Sequence, residues 1–223
     1  MGRSSVGDGR ARRWDHRRPE LLAAATEYAL EVGVANLTLR PLAEAIGTSI
    51  TSLNRQLGSK DALVRDVCRE LHAGMVHALE EVWARSAGRP TEVLRALWEM
   101  WLAPEYDRQF AFLFELYGMA IRDPERYVWF ADSVVRDWLA PLEAALIGNG
   151  HSASDARTIS TLVMAVIRGL RLDVSATRDI ERVRDSYEMA MALLEPALRT
   201  SRDSGRRREA ARTAVPAETE KSG

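Results

Sequence analysis

The sequence predicts an all-α protein of about nine helices. Three observations carry this. Apolar residues recur at helical spacing in nearly every segment between about residues 17 and 199. Nothing alternates with the two-residue period of a half-buried strand. Gly and Pro punctuate segments of helix length. With 223 residues, 46% of them hydrophobic, the chain can bury a sizeable core in one or two domains. One cysteine excludes an intrachain disulfide and points to a reducing compartment. No window approaches the roughly 18 apolar residues of a membrane span. The N-terminal arginines have no apolar stretch behind them, so no signal peptide is read. The expected location is the cytoplasm.

Residues 1–16 are rich in Gly, Ser and Arg and are expected to form a disordered basic arm, and residues 200–223 a disordered tail. Leu21, Leu22, Ala25, Tyr28, Ala29 and Val32 form the stripe of a first helix, which Gly33 can stop in a left-handed cap. Leu39, Leu42, Ala43 and Ile46 mark a short second helix with Thr38 as N-cap. Pro41 is tolerated there because the first turn has no intrahelical donors. Gly47 ends it. Ser49 can cap a third helix with Ile50, Leu53 and Leu57 pointing inward, and Gly58-Ser59 breaks it. Leu63, Val67, Leu71, Met75, Leu79 and Val82 line a fourth helix over 60–84, about 37 Å long.

The next segment begins at Pro90 and is interrupted by Pro104, and 106–121 is apolar on most sides. Asp123-Pro124 reads as a cap and first-turn proline for a helix to about 147, kinked at Pro141. Ser152 and Asp155 fit a capping-box-like start, and two apolar helices near 153–174 and 179–195 close the fold.

The net charge of −1 conceals a layout: residues 1–60 carry +3, residues 61–198 carry −7, and residues 199–223 carry +3. A basic front on an acidic body suggests that one end meets a polyanion. Thr38 to Leu63 gives that end a motif: two short helices joined by a glycine turn, a helix-turn-helix pattern. A helix that enters a major groove needs an exposed polar face and an anchored back. Thr51, Ser52, Asn54 and Arg55 supply the face, and Leu53 and Leu57 the anchor. On spacing alone, a capped surface helix fits equally well.

The stretch TLRPLAEAIGTSITSLNRQLGSKDAL, preceded by RPELLAAATEYALEVGVANL, resembles the N-terminal domain of the TetR family of bacterial transcriptional regulators. The matching positions are Gly33, Thr38, Leu42-Ala43-Glu44, Gly47, Ser49, Leu53 and Ser59-Lys60-Asp61-Ala62-Leu63. Asn54, Leu57 and Thr51 stand where the family more often has tyrosine, phenylalanine and glycine. The operator sequence therefore cannot be borrowed from relatives.

The resemblance implies a helix-turn-helix DNA-binding domain over 17–63 and a helical ligand-binding and dimerisation domain over 64–199. It implies a repressor that binds a palindromic operator as a homodimer and is released by a small, largely apolar effector. No catalytic residue, metal or cofactor is expected. Thr38 and Lys60 are expected on phosphates and Arg40 on or near the backbone. Ile50, Thr51, Ser52 and Arg55 are the base-reading set, with Asn54 on base or phosphate; Ser49 and Arg18 complete the expected DNA-binding residues. Ile50 could meet a thymine methyl or belong to the core. The arm residues Arg10, Arg12, Arg13 and Arg17, with Arg18, either track the minor groove or stay unengaged.

For the dimer, the resemblance implies two recognition helices about 34–36 Å apart. Ile159, Leu162, Val163, Val166, Gly169 and Leu170, with Val183, Tyr187, Met191 and Leu194, are the expected interface. The sensor reading nominates Trp98, Trp101, Phe110, Phe114, Tyr117, Met164 and Arg168, because pockets are mostly apolar with a few polar anchors. For any single aromatic, ordinary core is the better reading. For Arg168, an ion pair with Asp173 or another acid is preferred over a ligand anchor. Cys68 and His72 share a helix face, yet no third ligand or orienting acid stands out, so a buried inert thiol is the simpler reading. The alternative function is a helical dimeric small-molecule-binding protein, or an enzyme, without DNA binding.

Overall fold

The computed structural model describes residues 8–86 and 90–199, with side chains from Arg18 onward, Ser133 excepted. The described residues are helical throughout and contain no strand. Nine helices recur: α1 (Asp8–Asn36), α2 (Leu39–Ala45), α3 (Ile50–Leu57), α4 (Lys60–Arg85), α5 (Pro90–Trp101), α6 (Asp107–Arg122), α7 (Asp137–Gly148), α8 (Ala153–Thr177) and α9 (Ile180–Leu198). A 3-10 turn, Pro104–Tyr106, precedes α6. A short α-turn, Val128–Phe130, and a π turn, Ala131–Arg136, precede α7.

The chain divides into two compact units. One comprises the chain up to Glu81 together with Glu99–Arg136, and the other Val82–Trp98 together with Asp137 onward. Helix α6 packs on α1, so the first unit includes a segment well beyond residue 63. Sequence distance hides such a partnership.

In the first unit, Leu22, Ala25, Ala29, Val34 and Leu37 meet the core together with Leu42, Leu53, Leu57 and Leu63. Helix α1 begins at Asp8, inside the segment expected to be an unstructured arm. Once a helix is nucleated, each added residue closes one backbone bond, so propagation needs no buried side chain. Gly33 breaks α1 with φ 77 and ψ 164. The sign of φ is the expected one, but this ψ lies in a region open essentially to glycine alone. The side chains of Arg10, Arg12, Arg13 and Arg17, and the expected C-terminal tail, lie outside the described residues.

Asp123 caps a turn rather than a helix: its carboxylate accepts the Arg126 N–H at 3.2 Å, and helix resumes only at Val128. The irregularity expected at Pro141 falls upstream, in the π turn that ends at Arg136.

In the second unit, α8 packs against both α7 and α9. Ser152 caps α8: its Oγ accepts the Asp155 N–H at 3.0 Å and donates to the Asp155 carboxylate at 2.8 Å. Arg178 closes α8 at φ 62, and Asp179 caps α9 by accepting the Arg182 N–H at 3.2 Å. Arg182 ties the hairpin with two bonds to Asp173, at 2.7 and 2.9 Å. Asp173 is thus held by Arg182. Arg171, not Arg168, is the arginine sunk into this unit, at 2% exposed.

Candidate nucleic-acid interface

Helices α2 and α3 are short, so their ends must be capped locally. Thr38 stands at the N-cap of α2 with extended backbone, and its carbonyl accepts from Leu42 at 3.2 Å. Its hydroxyl makes no capping bond, contrary to the expected cap, and the residue is exposed. Gly47 turns the chain at φ 67, and the Thr48 N–H reaches the Ala43 carbonyl at 2.9 Å. Ser49 Oγ accepts the Ser52 N–H at 3.1 Å and starts α3. Gly58 ends α3 at φ 74, and Ser59 Oγ accepts the Ala62 N–H at 3.2 Å to start α4.

These caps orient α3. Leu53 and Leu57 are fully buried, which fixes the back of the helix. Ile50, Thr51, Asn54 and Arg55 are exposed together on the opposite face, in the i, i+1, i+4, i+5 pattern of one helical stripe. Ile50, 37% exposed, therefore belongs to the outward face and not to the core. Ser52 turns partly inward. Arg40 is exposed on α2, and Lys60 is half-buried at the start of α4. The stripe offers a hydroxyl, an amide, a guanidinium and an apolar tip, the groups that read base edges and thymine methyls.

The Arg18 Nη2 donates to Asp66 at 2.8 Å and its Nε to the Gln56 carbonyl at 3.2 Å. Asp66 is nearly buried and also holds Arg69, so Arg18 helps to neutralise a carboxylate inside the head.

At the base of the head, Arg126 grips Asp61 with two bonds, at 2.8 and 3.3 Å. Arg126 holds the Asp61 carboxyl below the usual carboxylate value, against a smaller opposing effect of burial. A shallow surface cleft lies here, lined by Val34, Lys60, Asp61, Val64, Arg126, Tyr127 and Trp129. No residue nominated for effector binding lines it.

The residues nominated for the effector do not converge within one compact unit. Trp98, Met164 and Arg168 belong to the second unit, where Trp98 is fully buried and stacked on Tyr187 at 4.5 Å. Trp101, Phe110, Phe114 and Tyr117 belong to the first and form a chain of ring contacts that reaches Phe130 and continues through Trp129 to Tyr127. Cys68 is buried, and burial pushes its thiol up to about 12. With His72 it joins no metal-ligand cluster among the described residues.

The expected interface set also divides. Val163, Val183, Tyr187 and Met191 are buried within the protomer and cannot bury further surface in a dimer. Ile159, Val166, Leu170 and Leu194 are half-buried. Leu162 and Gly169 are exposed, and with Ala165 and Leu172 they form one open stripe along α8. Met189 and Leu193 form another on α9. Leu172, Met189 and Leu193 were not singled out from sequence, although the 162, 165, 169, 172 spacing carried the signal.

Residues 21–67 match the family model described as bacterial regulatory proteins, tetR family. Over that segment, which contains both α2 and α3, the chain is similar to the TetR family, and the match supports a DNA-binding regulator. Solved structures share the fold. A transcriptional regulator from Rhodococcus sp. Rha1 is 23% identical with a TM-score of 0.66, over 80% of this chain and 96% of that one. A protein from Pseudomonas aeruginosa PAO1, assigned as a transcriptional regulator, is 18% identical with a TM-score of 0.64, over 82% and 91%. NalD of Pseudomonas aeruginosa, the secondary repressor of the MexAB-OprM multidrug efflux pump, is 17% identical with a TM-score of 0.51, over 82% and 96%. No functionally curated protein matches the sequence. No helix among the described residues is long and apolar enough to cross a membrane.

Proposed function

We propose that this chain is a regulator of the TetR type, a homodimeric repressor that reads a palindromic operator with α3 and releases it when a small, largely apolar effector binds. The observation that carries the reading is the exposed Ile50, Thr51, Asn54 and Arg55 stripe on a helix anchored by Leu53 and Leu57. Arg55 and Asn54 read base edges, and Thr51 bonds a base or phosphate. Ile50 meets a thymine methyl, and Lys60 and the Thr38 end of α2 hold phosphates. A stripe this short discriminates few base pairs, so specificity requires two copies.

The open stripes on α8 and α9 support the homodimer. Leu162, Leu172, Met189 and Leu193 expose large apolar surface, and Ala165 and Gly169 leave room for a close helix approach. A two-fold axis would place each stripe against its own copy. The effector reading is supported by the ring chain from Trp101 to Phe130 and by the buried Trp101 indole N–H, which has no acceptor among the described residues. The cytoplasm is the expected location.

The test is selection of genomic fragments by the purified full chain, followed by sequencing and binding assays with Thr51→Ala, Asn54→Ala and Arg55→Ala. Recovery of a two-fold-symmetric site, bound at least about tenfold more weakly by Arg55→Ala, supports the reading. Specific binding that ignores all three substitutions contradicts the site.

A further inference from the structure

The helix-turn-helix is held at both ends by one element outside it. At its entry, Gly33 breaks α1 and the Leu37 N–H closes back on the Gly33 carbonyl at 3.1 Å. A break of this kind leaves orphan backbone donors. Glu115, half-buried on α6, accepts the Ala35 N–H at 3.0 Å and packs so closely on Gly33 that a Cβ there would push its carboxylate aside. At its exit, Asp61 lies in the first turn of α4, next to Lys60. Arg126, in the turn after α6, grips Asp61 with its two-pronged bond. Arg126 is itself fixed, its own N–H on Asp123 and its guanidinium over the Tyr127 ring at 5.6 Å. Between the two grips, Arg108 of α6 meets Glu27 of α1 at 3.4 Å.

Neither contact is needed to form α2 or α3, which Ser49, Gly47 and Gly58 terminate locally. What the contacts fix is the attachment of the motif's ends.

We propose that α6 and its trailing turn brace the helix-turn-helix, with Glu115 and Arg126 as positioning residues for DNA recognition. The proposal rests on the reading of α3 as the recognition helix. Glu115 and Arg126 touch no phosphate in this scheme. They hold Thr38 and Lys60 at the spacing that two points on one DNA backbone require, because the loop before α2 and the first turn of α4 cannot shift independently.

The experiment compares the full-length wild type with Glu115→Ala, Glu115→Gln, Arg126→Gln and Lys60→Ala. The probe is the duplex that the wild type recovers from a random-sequence double-stranded pool, titrated across a range of salt concentrations. Glu115→Ala and Arg126→Gln are expected to bind about tenfold more weakly, the scale of one charge-assisted bond. Their slope of log affinity against log salt stays that of the wild type. Glu115→Gln keeps an acceptor for Ala35 and stays within about threefold of wild type. Lys60→Ala removes a phosphate contact and makes the slope shallower by about 0.9. Helix content by circular dichroism accompanies each titration. If Glu115→Ala does not fold, Arg126→Gln decides, since its side chain is 53% exposed. Folded variants that bind as wild type, or that flatten the salt slope, overturn the brace. A wild type that recovers no duplex overturns the recognition-helix reading beneath it.

Discussion

Arg18 of α1 joins the end of α3 to α4: its Nε bonds the Gln56 carbonyl and its Nη2 the Asp66 carboxylate. A cation at a helix C-terminus favours the local dipole, and a nearly buried carboxylate requires a partner. Arg18→Ala is therefore expected to cost about 1–2 kcal/mol, discounted because Arg18 is half exposed and Arg69 remains on Asp66. Urea unfolding measures this. A midpoint equal to wild type would return Arg18 to the pool of free phosphate-binding cations.

Gly33 and Gly47 make a matched pair. Both have positive φ, but only Gly33 lies under Glu115, while a Cβ at Gly47 meets open space. Gly47→Ala is expected to cost about 1 kcal/mol from backbone strain alone, and Gly33→Ala clearly more. Glu115→Ala combined with Gly33→Ala removes the clash and leaves the strain. The double variant should then lose less than the sum of the singles. Simple additivity in denaturant midpoints would show that the packing of Glu115 on Gly33 is immaterial.

The local part of this site was legible in the sequence. Ser49, Gly47 and Gly58 act on backbone groups a few residues away, so their types announced the two short helices. Leu53 and Leu57 against Asn54 and Arg55 announced which face turns outward. The remaining residues depend on distant partners. Arg18 resembles any arm arginine until Gln56 and Asp66 are placed beside it. Glu115 and Arg126 lie far along the chain from Ala35 and Asp61, and nothing in α6 points to them. In α8, apolar residues on several sides left open which stripe the protomer covers, so Val163 and Leu162 looked alike.

Burial of Cys68 sets its reactivity. The thiol is pushed from an ordinary 9.0 up to about 12, so little thiolate forms in the folded chain at pH 8. Alkylation at pH 8 is expected to be slow in native buffer and fast in urea. The sign for stability follows from the raised value. The buried neutral thiol contributes fully below about pH 9, and that contribution is lost as pH rises toward about 12. Cys68→Ala should flatten this alkaline decline. Equal native and denatured labelling rates would contradict the burial of the thiol.

Asp173 governs the acid side of the α8–α9 hairpin. Hydrogen bonds from Arg182 hold its carboxyl below the ordinary 3.8. A depressed carboxylate stabilises the fold above its unfolded value and loses that contribution as pH falls through the lower folded value. Wild type should therefore weaken below about pH 4 more steeply than Asp173→Asn, as followed by urea midpoints at stepped pH. Parallel pH profiles for the two chains would show that the Arg182 fork contributes nothing.

Recognition of a duplex by paired α3 helices is tested by equilibrium binding of the full chain to its selected site and to a scrambled duplex, across salt, with stoichiometry from sedimentation. Two chains per duplex are expected, with a strong preference for the selected site and an affinity that falls steeply with salt. A single chain bound, or equal and weak retention of both duplexes at low ionic strength, would contradict it.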